Sequence, residues 1–114
     1  MAITQQSVSN KLWLVQVDGR LDQSQNSHLE TVLNDLMENG RLQLIIDLSQ
    51  TTYINSGGLR ILVTAWRKTQ EQQGNLVLCG LNDRLLEIFA MVGFDKVFRL
   101  FPDCPAATQF LTTN

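Results

Sequence analysis

The spacing of apolar residues changes several times along this chain, and each change marks an element. Residues from Ile3 to about Ser9, then from Lys11 to Asp18, read as two strands around a Ser9-Asn10 turn. Leu12, Leu14 and Val17, with Trp13 and Val15, leave the second strand little polar surface, which predicts cover on both faces. Gly19-Arg20-Leu21-Asp22 is expected to break that strand. Asp22 then caps a helix, with Gln25 completing a capping-box arrangement. Leu29, Val32, Leu33, Leu36 and Met37 recur at helical spacing and Asn39-Gly40 closes the run. Leu42 to Leu48 is too apolar to have a solvent face and reads as a central strand.

The same logic carries to the end of the chain. Leu59, Leu62, Val63 and Trp66 form the core stripe of a second helix, ended by Gly74-Asn75, and Leu76 to Cys79 is a short buried strand. Asn82 caps a third helix whose Leu85, Leu86, Phe89 and Val92 are expected to face inward, stopped by Gly93. Lys96 to Leu100 reads as a last strand, and Pro102 sits near the first turn of a terminal helix packing Phe110 and Leu111. Two strands followed by alternating helix and strand predict an α/β fold. It is a mixed sheet of about five strands, partly parallel, with about four helices packed on it. Residues 1–114 form a single domain with no internal repeat, low-complexity segment or linker.

Charge and composition remove several function classes. A formal net charge of -2 argues against a nucleic-acid binder, which carries a basic stripe. No apolar run approaches the ~20 residues of a membrane span, so no direct membrane insertion is expected. Met1-Ala2-Ile3-Thr4-Gln5-Gln6 lacks the basic and apolar regions of a signal peptide, which makes the cytoplasm the expected compartment. Cys79 and Cys104 look like neither a close pair nor a metal-spaced set, and buried or unreactive thiols are expected in preference to a disulfide. The single histidine, His28, reads as surface. No metal or cofactor is expected.

The most informative stretch runs from Ile45 to Arg60. An apolar strand ends in Asp47-Leu48-Ser49, the pair Tyr53-Ile54 follows, and Asn55-Ser56-Gly57-Gly58 then opens the second helix. Helix N-termini present N–H groups without intrahelical partners and favour negative charge. Asn55 and Ser56 are good caps on any reading. Two adjacent glycines are not explained by capping, since each costs up to about 1 kcal/mol inside a helix; they suggest that something approaches the backbone closely. Asp47 fits a strand-end residue accepting backbone hydrogen bonds better than a catalytic base. Ser56 has no histidine or lysine beside it within the motif, and the glycines match neither a Walker loop nor a dinucleotide loop. An enzyme is not expected.

This stretch, the Gly19-to-Asp22 segment, the run from Asn82 to Gly93-Phe94 and the element order resemble the STAS domain, the fold of bacterial anti-sigma-factor antagonists. The resemblance implies a regulatory module that binds an ATP-binding, kinase-type anti-sigma factor and releases a sigma factor, under control of serine phosphorylation at the turn. The family's turn reads Asp-Ser-Ser/Thr-Gly-Leu, with the second hydroxyl residue as acceptor. In this chain the acceptor position is Gly57, the aspartate position is Asn55, and Ser56 precedes the acceptor. Three readings follow: Ser56 is the acceptor, the protein is a permanently active antagonist, or it is a STAS module that does not use phosphorylation. Loss of the acid at 55 ranks phosphorylation of Ser56 below an unregulated or otherwise regulated binding surface. Helical spacing sets Gly57, Ile61, Thr64 and Lys68 on a face away from the core stripe. Ile61 and Thr64 would there form a small apolar patch beside the turn, flanked by Arg60 and Arg67. The expected partner surface is thus Asn55, Ser56, Gly57, Gly58, Arg60, Ile61, Thr64, Arg67 and Lys68. The alternative function is an accessory subunit of a membrane lipid-transport complex using the same helix face.

Overall fold

The computed structural model describes residues 2–9 and 11–113. Its strands are β1 (Ala2–Ser7), β2 (Leu12–Leu21), β3 (Gln43–Asp47), β4 (Thr51–Ile54), β5 (Asn75–Cys79) and β6 (Leu100–Phe101); its helices are α1 (Gln23–Glu38), α2 (Ser56–Glu71), α3 (Asp83–Met91) and α4 (Cys104–Thr113). The sheet runs β1-β2-β3-β5-β6, with β4 pairing to β2. Among the described residues, only the β1–β2 pair is antiparallel. The expected mixed α/β architecture is present, with one strand more than expected.

That extra strand places the functional turn. β2 does not break at Gly19 as expected. Gly19 takes a positive φ of 87° and the register shifts between Gly19 and Arg20, so β2 bends and continues to Leu21. Its first half pairs with β3 and its last residues with β4. Between them the chain turns at Leu48–Gln50: Asp47 Oδ1 accepts from Ser49 N at 2.9 Å, and Gln50 O accepts from Gly19 N at 2.8 Å. Thr51, buried, donates its hydroxyl to Val17 O at 2.7 Å. Asp47 therefore has the turn-fixing role its position suggested.

Alternation along the strands divides the interior. Val15, Val17, Leu44, Ile46, Leu76 and Leu78 join Leu29, Leu33, Leu62, Leu85 and Phe89 of the helices in the main core. Leu12, Ile45, Val77 and Cys79 point the other way, into a smaller core with Ala107 of α4, against which Phe110 and Leu111 pack. The α1 stripe is buried as expected. At its start, however, the cap is completed by Ser24 rather than Gln25, through its N–H at 3.2 Å and hydroxyl at 2.7 Å to Asp22 Oδ1. The Ser24 hydroxyl bond holds the Asp22 carboxyl below its ordinary value, with partial desolvation opposing it.

Two further expectations need correction. Leu86 and Val92 of α3 are exposed, because the helix buries only Leu85 and Phe89. The chain from Lys96 to Leu100 is not a strand: Phe94–Lys96 forms a 3-10 turn after Gly93 at φ 78°, and strand pairing begins only at Leu100. This shape brings Phe98 edge-on to Trp66, Phe89 and Phe94, with centroids 6.0–6.2 Å away. α4 is capped by Asp103, whose Oδ1 accepts from Ala106 N at 2.9 Å; Pro102 stands just before that cap, near the first turn as expected, with Pro105 inside it. The Ser9-Asn10 turn falls partly outside the described residues.

Candidate functional site: the first turn of α2

β4 delivers Asn55 to the start of α2 in an extended conformation, φ -90° and ψ 177°. Its side-chain oxygen accepts from Gly58 N at 2.9 Å, closing one of the open N–H groups of the first turn. The same oxygen accepts a second bond, 3.0 Å from Asn26 Nδ2 on α1. Asn26 Oδ1 is buried and takes no hydrogen bond, so this amide is held by one bond and by its fit.

That fit explains the glycines. A β-carbon on Gly57 would lie 2.6 Å from Asn26 Nδ2, so the amide occupies the space a side chain at 57 would need. A β-carbon on Gly58 would meet Leu21 Cδ2 at 2.9 Å and Ile54 Cγ2 at 3.1 Å. Gly58 is thus a packing residue of the core, buried with Leu59, and cannot touch a partner directly as expected. Ser56 is exposed at the first helical position. It is the sole hydroxyl residue of the 55–58 turn.

The buried face of α2 is also rotated from the expected one. Gly58, Leu59, Leu62, Ala65 and Thr69 are buried, whereas Val63 and Trp66 are partly exposed. The small residues at 58, 65 and 69 let the helix sit close to the sheet, and Thr69 satisfies its hydroxyl by donating to Trp66 O at 2.7 Å. One consequence corrects the proposed patch. Ile61 is half-buried and packs against the main core, so it is not a free apolar surface. Gly57, Ile61 and Thr64 instead face α1 across a cleft of about 290 Å³ also lined by Gln23, Asn26, Ser27, Glu30 and Arg60. Lys68 extends this seam, its Nζ donating to Asn34 Oδ1 at 3.2 Å.

Ser56, Arg60 and Arg67 stay outward beside the turn, all exposed, as are Thr64 and Lys68 on the side facing α1. The first three fall at i, i+4 and i+11 and so share one ridge of the helix. Arg20 on β2 adds a third arginine cation, stacked 4.4 Å over the Tyr53 ring of β4 and 3.7 Å from Asp22. The arrangement offers an exposed hydroxyl beside positive side chains. His28 is exposed on α1. Sequence reasoning missed Asn26. The available signal was Gly57 itself, since a missing side chain implies something else in its space.

The profile of the STAS domain matches residues 3–107. The chain belongs to the STAS-domain family. BtrV of Bordetella bronchiseptica, assigned as an anti-sigma factor antagonist, is 29% identical to this STAS domain over 113 residues, 99% of this chain and 97% of its own length. An anti-sigma-B factor antagonist of Listeria monocytogenes is 37% identical over 57 residues, 50% of each chain. The crystal structure of an anti-sigma factor antagonist from Mycobacterium paratuberculosis shares the fold, with TM-score 0.83 and 24% identity over 95% of this chain and 92% of that one. Among the described residues, no helix of the STAS domain is long and apolar enough to cross a membrane.

Proposed function

We propose that this STAS domain is an anti-sigma-factor antagonist: a regulatory protein that docks the first turn of α2 and its outward ridge onto an anti-sigma factor of the ATP-binding serine-kinase type. The observation that carries the reading is the doubly fixed turn at 55–58, which holds Ser56 exposed. Asn55 spends its side chain on the turn and on α1, and Ser56 stands exposed at the first helical position, one turn before the exposed Arg60. The near full-length similarity to BtrV supports the same role. Arg60 and Arg67 suit acidic groups on the partner. Gly57, Gly58, Ile61, Thr64 and Lys68 contribute by shaping the turn and the α1–α2 seam.

Ser56 is the residue at this turn that can take phosphate. The modification would add about -1.5 to -2 charges at a helix N-terminus, where the fold tolerates them, and Arg60 one turn on would compensate part of that charge. The cost would fall on the partner's facing surface. Asn55 lacks the acid that the family's kinases meet, so a constitutively available surface remains the first reading and a Ser56 switch the second.

The test is direct binding of the purified chain to the kinase-type anti-sigma factors of its own host, with Ser56→Asp and Arg60→Glu beside the native protein. Native binding that both variants weaken at least tenfold supports the reading. Absence of binding to every such factor would overturn it, and co-purification with a transporter ATPase or permease would move the domain to the transport role. Incubation of the complex with ATP, followed by phosphopeptide mapping, decides between the constitutive and switched forms.

A further inference from the structure

The thiols read from sequence as an unrelated pair are neighbours in the fold. Cys79 ends β5 and Cys104 begins α4, 25 residues later, and their sulfurs stand 2.9 Å apart. That is closer than two sulfurs rest in ordinary van der Waals contact. Both cysteines are free, Cys79 fully buried and Cys104 partly exposed. Each belongs to a fixed element: Cys79 is paired within the sheet to Asp47 and Phe101, while Asp103 and Pro105 hold the first turn of α4. A disulfide requires the sulfurs to close from 2.9 Å to about 2.05 Å, a short further approach.

We propose that Cys79 and Cys104 form a reversible intramolecular disulfide, made by a peroxide-class oxidant, that staples the start of α4 to the end of β5. The pair lies in the smaller core, on the sheet face turned away from α1 and α2, so the staple does not depend on the docking function proposed above.

The chemistry follows from the unequal burial. Cys104 is the thiol that solvent reaches. Its proton leaves to the Asp47 carboxylate, which lies with both sulfurs in a group whose atoms are all within 4.8 Å of one another, and from there to water. The thiolate attacks one oxygen of hydrogen peroxide, the O–O bond breaks, and the departing hydroxide takes a proton from water and leaves as water, giving a sulfenic acid. Cys79 sulfur then attacks the Cys104 sulfur, the Cys79 proton passes to the departing hydroxyl, the S–O bond breaks, and a second water leaves. Two thiols lose two electrons and one peroxide becomes two waters. Burial, first, and then the thiol partner and the Asp47 charge hold the Cys79 thiol far above its ordinary value, and burial likewise raises Cys104. The resting pair is therefore protonated, and the reaction quickens as pH rises.

The experiment treats the reduced full-length chain with hydrogen peroxide, quenches, denatures, alkylates and measures intact and peptide masses. The expected product is a monomer lighter by two hydrogens, resistant to alkylation, with the Cys79 and Cys104 peptides joined. Dithiothreitol should reverse it, formation should be faster at about pH 9 than about pH 7, and Tm should rise by about 10 °C on closing a loop of this length. Cys104→Ser should abolish both the mass change and the Tm shift. Oxygen addition to Cys104 alone, disulfide-linked dimers or two freely alkylated thiols would each overturn the proposal. So would a bound zinc ion in the protein as purified that shields both thiols, since the cluster would then be a metal site.

Discussion

Two helices of this domain begin with the same cap and put it to different uses. At α2, Asn55 accepts from Gly58 N at 2.9 Å; at α3, Asn82 accepts from Leu85 N at the same 2.9 Å. Both caps are extended, with ψ of 177° and 174°. The residues that follow differ in every respect. α3 continues Asp83-Arg84-Leu85, an acid facing the helix dipole, an exposed cation and a leucine with no exposed surface. α2 continues Ser56-Gly57-Gly58. Capping therefore does not account for the glycines, because an equally good cap is built without them. The difference lies in what surrounds the turn: α2 is pressed from below by Leu21 and Ile54 and crossed from α1 by Asn26, whereas α3 spends its third helical position on filling the core.

The largest effect that would sharpen this contrast is at α3. Leu85→Ala should destabilise the domain by about 2–5 kcal/mol, as for a fully buried leucine, measured as a lower midpoint in urea at unchanged slope. A loss near that of a surface substitution would remove Leu85 from the core and end the contrast. At the corresponding position of α2 the opposite substitution should be harmful. Gly58→Ala adds a methyl against Leu21 and Ile54, and overpacking should cost about 1–3 kcal/mol even though alanine is the better helix former. If Gly58→Ala stabilises the protein in the same titration, the turn has room and its glycine needs another reason.

The caps themselves come next. Asn82→Ala should cost about 0.5–2 kcal/mol. Asn55→Ala should cost more than Asn82→Ala, because it also leaves Asn26 Nδ2 without its acceptor. Equal losses in thermal or urea unfolding would mean that the bond to α1 contributes nothing.

The contrast also shows what the sequence could reveal. Period and caps were legible: the α1 stripe, Asn82 and the buried central strands follow from spacing alone. The turn at 55–58 stood out for the same reason, since Gly-Gly after a cap violates a local rule. Legibility ended where a residue's environment is set by a distant segment. Asn26 lies 29 residues from Asn55, and the two thiols lie 25 apart; neither contact leaves a periodic trace. The bend of β2 at Gly19 was read as a break because a bulge and a break share the same residue. Ile61 was read as exposed because its register is set by how closely α2 approaches the sheet, which small side chains at 58, 65 and 69 decide.

The smallest expected effect is the most specific to the site. Gly57→Ser puts a β-carbon where Asn26 Nδ2 now stands, but that atom ends a flexible side chain and can swing toward the adjoining cleft. The single substitution should therefore cost only about 0.5–1 kcal/mol, close to the net value of the Asn26–Asn55 bond it breaks. In an Asn26→Ala background the space is already open, and the same serine should be neutral or slightly stabilising, since serine is a better helix former than glycine. The coupling in this double-mutant cycle should be about 0.5 kcal/mol or more, beyond the scatter of independent sites. Additive effects would show that Gly57 and Asn26 do not compete for one place. Coupled effects would show that the amide of α1 has taken the volume where the STAS resemblance puts the acceptor hydroxyl. The double variant would then carry hydroxyls at both 56 and 57, and phosphopeptide mapping after incubation with ATP and the proposed kinase-type partner would report which of the two is modified.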